Sequence, residues 1–373
     1  MSAALPPSEV DVLIIGGGLS GLSAALKVKD EAGSTPLSYL VLEGNARLGG
    51  RTLTRGQDRD FGAAYVGASQ HHVQHLIRRF QLPMRRVFLP GTHQWLFENS
   101  KGVIQRLPGN DPTALPGGMN ALIKLFELDT LALELRDHLH APAQSRLAAY
   151  DALSVADWIA EQRAAWDAAG GRDDVGMSPA TEDAFVSSVR STFSLQPHEL
   201  SFFFLLYYAA TAGGYSALVA VAGSEGAEDL RFAGGTQALV SALQAEVGAE
   251  HIRNETSVTQ LTYDADGVTA TTSAGSVRAK RVIIAMSPAH SAKITLVAAT
   301  PGLHADERTQ REALCSAMAT CMGRTIKGFV HFKQPVWRAA ELMGYSVSVA
   351  TPSSSTRWHG RSTTFGMRRT TPA

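Results

Sequence analysis

Residues 9–52 read EVDVLIIGGGLSGLSAALKVKDEAGSTPLSYLVLEGNARLGGRT, and the fold class of this chain follows from their pattern. The apolar, β-branched run at residues 10–15 predicts a strand that is buried on both faces. From Leu19 the apolar residues recur at helical spacing, and a second apolar run at residues 39–42 ends on Glu43. The stretch therefore predicts a βαβ unit with glycines at its first strand-to-helix junction.

The three glycines at that junction, Gly16, Gly18 and Gly21, form a GxGxxG motif. Gly16 allows a sharp turn, Gly18 leaves room for a pyrophosphate to approach the backbone, and Gly21 lets the helix pack closely on the strand. The amides of the first helical turn, including those of Leu19 and Ser20, then face the phosphates, where the helix dipole favours negative charge. A glycine-rich turn that serves packing alone is the alternative, but the complete unit favours dinucleotide binding.

Glu43 stands at the end of the second predicted strand, on the order of 20 residues after the last glycine of the motif. An acidic residue at this place accepts hydrogen bonds from the hydroxyl pair of a ribose. Because a carboxylate repels a 2′-phosphate, the motif argues against NADP.

The segment after Glu43, GNARLGGRT at residues 44–52, resembles a signature that runs glutamate, a short spacer, then GGRT. This is the signature of the flavin-containing amine oxidases, the group of monoamine and polyamine oxidases. The resemblance implies FAD as the cofactor, with paired glycines that let the backbone approach it and Arg51 neutralising its phosphates. The implied cofactor contacts are Gly44, Arg47, Gly50, Arg51 and Thr52. The alternative is a glycine-rich turn followed by a surface arginine.

Two later segments extend the resemblance. DFGAAYVG at residues 60–67 is similar to the family segment DxGGxYVG beside the flavin, with Ala63 in place of the second glycine. By this resemblance, Ala64 and Tyr65 lie at the cofactor. In the later run HIRNETSVTQL, Val258 matches a valine whose backbone N–H and C=O face the adenine ring.

Composition narrows the class of partner. The 373 residues carry 34 Lys+Arg and 34 Asp+Glu, so no net field attracts nucleic acid or an anionic membrane. We expect a small-molecule partner, and association into a homodimer is left open.

The N-terminal run MSAALPPSEVD has neither the basic nor the apolar region of a secretory signal. Only Cys315 and Cys321 are cysteines, which favours a reducing compartment and a cytoplasmic location.

No metal site is expected. His71 and His75 are four residues apart and share a predicted helix face, which is the spacing of two metal ligands. No carboxylate or cysteine on the same helix completes such a site, so a solvated helix face is the favoured interpretation. The two cysteines fit no metal-ligand pattern either.

Residues 200–224 contain no charged residue and are long enough to cross a bilayer. We reject a membrane span because Gly213 and Gly214 interrupt the run, and its first half, SFFFLLYYAA, has only the length of a core helix. The resemblance assigns a helix that lines the substrate cavity to this place. Animal monoamine oxidases carry a substrate-contacting glutamine just before the glycine pair. Since Thr211 stands there in this chain, the substrate preference is open.

The catalytic candidate is Lys327, in GRTIKGFVHFKQPVW at residues 323–337. Alternation predicts a strand with Lys327, Phe329 and His331 on one face. A lysine among apolar strand residues is exposed at an edge, paired, or functional. The resemblance implies that this lysine holds a water against the flavin N5 and assists the reaction with oxygen. Lys333 is the alternative, closer to the loop.

These features predict an α/β protein with a three-layer, Rossmann-like FAD-binding domain and an inserted α+β substrate domain. The expected limits are 1–85 and 229–300 for the FAD-binding domain, 86–228 for a mostly helical substrate domain, 301–350 for substrate-domain strands with Lys327, and 351–373 for a disordered tail. Relatives continue beyond this point, and their C-terminal motifs are not found. A sheet that lacks its last strands would expose apolar edges.

The resemblance implies that the chain oxidises a primary or secondary amine at its α-carbon. The imine would hydrolyse to an aldehyde, and O2 would be reduced to H2O2. The cofactor supplies this redox chemistry, so no Ser/His/Asp set or metal cluster is required. Two alternatives stay open: an inactive, truncated remnant that binds FAD or its ADP half, and an oxidase of the same family that acts on polyamines or L-amino acids.

Overall fold

The computed structural model describes residues 9–31, 36–87, 94–98, 104–108, 117–220, 226–300, 305–320, 326–329, 332–339 and 341. The chain divides into two compact units, each made of segments that are separated in sequence. The first unit comprises Met1–Tyr65, His72–Arg85 and Arg231–Met322, and the second comprises Val66–His71, Arg86–Leu230 and Gly323–Ala373.

The described strands are β1 Glu9–Ile15, β2 Tyr39–Leu42, β3 Thr54–Arg55, β4 Arg59–Asp60, β5 Tyr65–Val66, β6 Met84–Arg86, β7 Gln94–Glu98, β8 Ile104–Pro108, β9 Leu230–Phe232, β10 Ile252–Arg253, β11 Val258–Tyr263, β12 Val268–Thr272, β13 Gly275–Ile284 and β14 Thr295–Ala298. The described α-helices are α1 Leu19–Glu31, α2 His71–Arg79, α3 Gly118–Leu135, α4 Val155–Ala168, α5 Pro179–Phe193, α6 Phe202–Ala212, α7 Tyr215–Val219, α8 Gln237–Val247, α9 Pro288–Ser291, α10 Ala305–Thr320 and α11 Val336–Ala339. Short 3-10 helices cover Arg136–His138, Pro142–Gln144, Arg146–Ala152, Pro197–Glu199 and Ala249–His251.

The first unit is built on a seven-stranded sheet in the order β10-β2-β1-β13-β12-β11-β14. The first four of these strands are parallel, while β12 runs antiparallel to both β13 and β11. In β1 the residue Val12 lies between Tyr39 of β2 and Arg281 of β13. The whole of β2 and the end of β1 are buried, as their apolar runs predict. The predicted α/β class with a Rossmann-like sheet is therefore confirmed.

Helix α1 is the crossover between β1 and β2, and it packs on the sheet through Leu22, Ala25 and Leu26. Helix α8 packs against α1. The Nζ of Lys29, in the last turn of α1, donates to the backbone oxygen of Glu246 at the end of α8. This contact joins the C-terminal ends of the two helices.

One half of β13 has a neighbouring strand on one side only. Arg278 and Ala279 pair with both β1 and β12, whereas in the described part of the chain residues 281–284 pair with β1 alone. Ile283 in this half is 38% exposed. An apolar side chain is therefore exposed on the part of β13 that has no second neighbour among the described strands.

The second unit is mostly helical, with a core of aromatic and aliphatic side chains from α3 to α7. Trp158 of α4 stacks on Phe202 of α6 with ring centroids 4.3 Å apart. Ser154 caps α4 in a capping box with Asp157. Strands β7 and β8 pair antiparallel, with Trp95 opposite Leu107.

The uncharged run at residues 200–224 does not form one long helix. Helix α6 begins after its cap Ser201, and Gly213 ends it in the left-handed conformation with φ of +100°. Within the described residues, no helix has both the length and the apolar character that a bilayer crossing requires.

The strand predicted around Lys327, with Phe329 and His331 on the same face, is wrong for the part of it that is described. Residues 326–329 and 332–335 have no strand, and Val336–Ala339 is a short helix. A strand needs a neighbour to accept its backbone hydrogen bonds, and no described strand pairs with these residues. The start of the predicted 301–350 strand region also differs, since residues 305–320 form α10. The predicted tail at 351–373 lies outside the described residues.

Candidate nucleotide-binding site

Two glycine turns meet at the carboxyl ends of β1 and β2. Gly16 follows β1 with φ of +109°, and its N–H donates to the backbone oxygen of Leu42 over 2.8 Å. The turn at residues 49–50 lies beside it, because Gly49 N–H donates to Gly17 O over 2.8 Å and Gly18 bridges to Gly49. The structure therefore brings the GxGxxG turn and the GG turn into direct contact.

The space around the three motif glycines differs, and the differences match the predicted roles of the glycines in the turn, in phosphate binding and in helix packing. A Cβ at Gly16 would lie 2.6 Å from the backbone oxygen of Ala285, and one at Gly21 would lie 1.8 Å from that of Gly16. At Gly18, by contrast, a Cβ would meet no atom within 4 Å. Gly16 and Gly21 thus hold the turn and helix together, while Gly18 faces open space that a pyrophosphate fits.

The start of α1 faces the same space. The first hydrogen bond of this helix joins Leu22 N–H to Gly18 O over 3.0 Å. The amides of Leu19, Ser20 and Gly21 precede it and have no intrahelical acceptor. These N–H groups carry the positive end of the helix dipole. The space between Gly18 and these amides, which we call the cradle, therefore favours an anionic group.

Glu43 ends β2 with its side chain buried and held by three N–H donors. Gly17 N–H donates to Oε2 over 2.7 Å. Asn45 donates to Oε1 twice, with its backbone N–H over 2.8 Å and its side-chain Nδ2 over 2.6 Å. In the described part of the chain, no cationic side chain lies within ion-pair distance of this carboxylate. Sequence reasoning missed Asn45, although an amide two residues after an acid in a turn is a recognisable signal.

Residues 254–258 run alongside the segment that follows Glu43. Thr256 N–H donates to Glu43 O over 2.9 Å, and Glu255 N–H donates to Asn45 O over 3.1 Å. A Cβ at Gly44 would lie 2.9 Å from Ser257 Oγ. The structure thereby brings Gly44 and the start of β11 to the same end of the sheet as Glu43.

Val258 presents its backbone away from the neighbouring strand. Ser273 N–H donates to Ser257 O over 3.0 Å, so this pair carries the ladder bond between β11 and β12. Because bonded and non-bonded pairs alternate in an antiparallel ladder, the next pair, Val258 and Thr272, points its polar backbone groups away from each other. The predicted contact of Val258 with the adenine stays a prediction.

Arg47 and Thr52 brace the GGRT loop from inside. The guanidinium of Arg47 donates to three backbone oxygens, at 3.1 Å to Leu48, 2.9 Å to Thr52 and 2.6 Å to Gly50. The hydroxyl of buried Thr52 donates to Gly49 O over 2.7 Å. Arg51 is exposed. The predicted contacts of these residues with the cofactor stay predictions, and the observed contacts of Arg47 and Thr52 are with the loop itself.

A buried carboxylate fixes the segment that contains Ala64 and Tyr65. Asp60, fully buried, accepts hydrogen bonds from Thr54 Oγ1 over 2.6 Å and from Thr236 N–H over 2.8 Å. The Thr236 hydroxyl in turn donates to Ala63 O over 2.6 Å.

Arg231 completes this network, since its Nη2 lies 3.2 Å from Asp60 Oδ2 and its guanidinium 5.7 Å from the ring centroid of Tyr65. Ala64 is buried and Tyr65 is partly exposed. Sequence reasoning found neither Arg231 nor Thr236, which lie far along the chain from the residues that they hold.

Lys327 belongs to the second unit and is exposed. Its Nζ lies 5.9 Å from the ring centroid of Phe329. Burial raises the pKa of Glu228, and the charge of Lys327 opposes that rise. The predicted role of Lys327 with oxygen stays a prediction, now placed on an exposed segment rather than on a strand, and the alternative Lys333 is exposed as well.

Helix α6 presents an uncharged aromatic face in the second unit. Phe204 and Tyr208 are 47% and 44% exposed, and Phe193 of α5 packs on Tyr208 with ring centroids 5.4 Å apart. The Thr211 hydroxyl donates to Tyr208 O over 2.7 Å. We call Phe193, Phe204, Tyr208 and Thr211 the α6 face.

His71 and His75 of α2 are exposed. Among the described residues, no group of three or more His, Cys, Asp or Glu side chains is arranged to hold a metal ion.

The sequence of this chain is similar to a known family of proteins. The family described as flavin containing amine oxidoreductase matches residues 19–368. This chain belongs to that family. A relative from Dictyostelium discoideum, named "Probable flavin-containing monoamine oxidase A", is 30% identical over 344 residues, which are 90% of this chain and 67% of that protein.

Two solved structures of amine oxidases share the fold. Cyclohexylamine oxidase from Brevibacterium oxydans superposes with a TM-score of 0.66 at 28% identity, over 82% of this chain and 63% of that one. A redesigned putrescine oxidase superposes with a TM-score of 0.64 at 25% identity, over 77% of this chain and 60% of that one. The chain thus spans less than two thirds of the length of either solved relative.

FAD is the cofactor of this family. The cradle at Gly18, the amides at the start of α1 and the buried carboxylate of Glu43 fit its pyrophosphate and ribose.

Proposed function

We propose that this chain oxidises a primary or secondary amine with FAD, with O2 as the electron acceptor and H2O2 as the second product. The observation that carries the proposal is the cradle at Gly18, which is open where a pyrophosphate must lie and closed by backbone at Gly16 and Gly21. Family membership supports the amine as the substrate class.

Bound FAD supplies the redox chemistry, by accepting two electrons from the amine and passing them to oxygen. The chain supplies binding and orientation. In our proposal the amides of Leu19 and Ser20 hold the pyrophosphate, Glu43 accepts from the ribose, and the backbone of Val258 contacts the adenine. Arg51 adds a positive charge near the phosphates.

We propose further that the substrate is a monoamine with an apolar body. The α6 face is aromatic and uncharged, and Thr211 stands where animal monoamine oxidases carry a polar amide. A polyamine would gain from acidic groups around its second ammonium, and an amino acid from an arginine at its carboxylate. The α6 face carries neither. The solved cyclohexylamine oxidase is consistent with a compact apolar amine, while the solved putrescine oxidase makes the diamine a necessary control.

The test is a visible absorption spectrum of the purified 373-residue chain with FAD, recorded before and after anaerobic addition of single amines. Cyclohexylamine and benzylamine represent apolar monoamines, putrescine a diamine, and L-leucine an amino acid. Bleaching of the oxidised flavin band by the monoamines is the expected result. Bleaching by putrescine alone would contradict the proposed substrate class, and a flavin band that no amine bleaches would contradict the oxidase activity.

A second candidate function is nucleotide binding without turnover. Within the described strands, residues 281–284 pair with β1 alone and Ile283 is exposed, which favours this function because an unpaired strand edge leaves its side of the sheet uncovered. FAD that binds but stays oxidised with every amine would support this second function. Peroxide formed on addition of any amine would exclude it.

A further inference from the structure

The carboxylate of Glu43 has too few free acceptor positions to accept hydrogen bonds from both hydroxyl groups of a ribose. A carboxylate offers about four lone-pair positions, two on each oxygen. Both positions of Oε1 are filled by Asn45, through its backbone N–H at 2.8 Å and its Nδ2 at 2.6 Å. Gly17 N–H fills one position of Oε2 at 2.7 Å. One position, on Oε2, is left for a ligand.

A ribose offers two neighbouring hydroxyl groups, at C2′ and C3′, and a carboxylate that accepts from both uses two positions. With the Asn45 side chain in place, only one hydroxyl gains a bond to Glu43. The second gains one only by displacing Asn45 Nδ2. The amide oxygen of Asn45 would face the carboxylate if the amide were turned over, so the NH2 orientation is the one that gives a hydrogen bond.

We infer that Asn45 is a specificity-determining residue of the nucleotide site, which limits Glu43 to recognition of one ribose hydroxyl. This inference rests on the proposed FAD site. If Asn45 stays, the second hydroxyl finds no acceptor on Oε1. If the ligand displaces it, an existing charge-assisted hydrogen bond is exchanged for another, and little affinity is gained.

The position of Asn45 makes it a suitable residue to change. Asn45 is exposed, whereas Glu43 beside it is buried. Removing the Asn45 carboxamide leaves the backbone N–H bond to Oε1 in place and frees one lone pair for a ligand. Asn254 provides a matched control, because its Nδ2 donates to Ala46 O over 3.3 Å in the same region and not to Glu43.

The experiment measures binding of ADP, 2′-deoxy-ADP and 3′-deoxy-ADP to the full chain by titration calorimetry. For the wild-type chain, one deoxy analogue should bind about tenfold or more weakly than ADP, and the other within about twofold of it. For Asn45→Ala, both analogues should bind about tenfold or more weakly than ADP, because both hydroxyls are then recognised. Asn254→Ala should keep the wild-type pattern.

Two results would overturn the inference while leaving the proposed function intact. One is a wild-type chain that discriminates strongly against both analogues. The other is an Asn45→Ala chain with the wild-type pattern. A wild-type chain that binds neither ADP nor FAD would overturn the FAD site and this inference together. Thermal melting of both variants, expected within a few degrees of the wild type, shows that the comparison is between folded proteins.

Discussion

At the scale of single residues, Gly18 and Gly21 lie three positions apart and respond to a methyl group in opposite ways. The backbone at Gly21 is in contact with Gly16 O, whereas Gly18 faces open space. Gly18 also has no positive φ, so an alanine there meets no backbone strain. The two positions therefore separate the folding role of the motif from its ligand-binding role.

We expect Gly18→Ala to leave the free energy of unfolding within about 0.5 kcal/mol of the wild type. Its affinity for FAD should fall by about tenfold or more, equal to about 1.4 kcal/mol, because the methyl group occupies the phosphate space. Gly21→Ala should instead destabilise the fold by about 1–3 kcal/mol, since the helix must move away from the turn. Chemical denaturation and FAD titration measure the two effects. Equal losses of stability in both variants would contradict this assignment.

The predicted role of Lys327 in the reaction of the flavin with oxygen is tested by substitution. We expect Lys327→Met to slow reoxidation of the reduced flavin by O2 at least about tenfold, with FAD affinity changed by less than about threefold. Stopped-flow mixing of the reduced chain with oxygen measures the rate. Lys333→Met, which removes a nearby exposed lysine, is the control and should reoxidise at the wild-type rate. Unchanged oxidation in Lys327→Met would remove this residue from the mechanism.

At the scale of elements, the turn between β11 and β12 is tied to β13 by an ion pair. Arg278 Nη2 lies 2.6 Å from Asp264 Oδ1. This hydrogen bond, together with the N–H groups of Asp266 and Gly267, lowers the pKa of Asp264 to about 2. The contact thus joins three consecutive strands at the end of the sheet remote from the glycine turns.

Because the pKa of Asp264 is lower in the folded chain than in the unfolded chain, its ionised form stabilises the fold above the ordinary aspartate pKa of about 4. This contribution is lost as the pH falls from about 4 through about 2. We expect Asp264→Asn to melt at a lower temperature than the wild type at pH 7, and the gap to close over that acidic range. Melting curves at a series of pH values test this. Asp266→Asn, in the same turn, keeps the ion pair and should show a smaller gap at pH 7.

At the scale of the whole molecule, the first unit is assembled from three segments that are far apart in sequence. Strand β1 pairs with β13, so Ile15 lies opposite Ile284. In the proposed site, a bound FAD would contact the ends of β1, β2 and β11 together. Binding should therefore stabilise the assembled unit against unfolding. The predicted domain limits stay a proposal, and they differ from the two compact units in two places: Val66–His71 belongs to the second unit, and α10 belongs to the first.

We expect FAD at about one hundred times its dissociation constant to raise the free energy of unfolding by about 2.7 kcal/mol. Melting temperature as a function of FAD concentration is the measurement. ADP should produce part of the same shift, since the cradle and Glu43 contact the ADP half. The Gly18→Ala chain at the same FAD concentration is the control and should shift less. A melting temperature that FAD leaves unchanged would contradict the proposed site.

The βαβ unit, the glycine turns and the acid at the end of β2 were predictable from the chain alone. Their signals are local, because a turn with positive φ, a helix start and a buried strand each restrict which residue types can stand at particular positions. The same holds for the helix start at Ser154 and the end of α6 at Gly213, where caps mark the boundaries.

The partners of the site residues became known only from the folded structure. Asn45 fills both acceptor positions of Glu43 Oε1, Arg47 braces its own loop, and Asp60 is held by Arg231. Lys327 lies on an exposed segment although its neighbours alternate like a strand. The physical reason is common to all four. Alternation and spacing describe what a segment is able to form, whereas a hydrogen-bond partner or a neighbouring strand depends on which distant part of the chain folds against it.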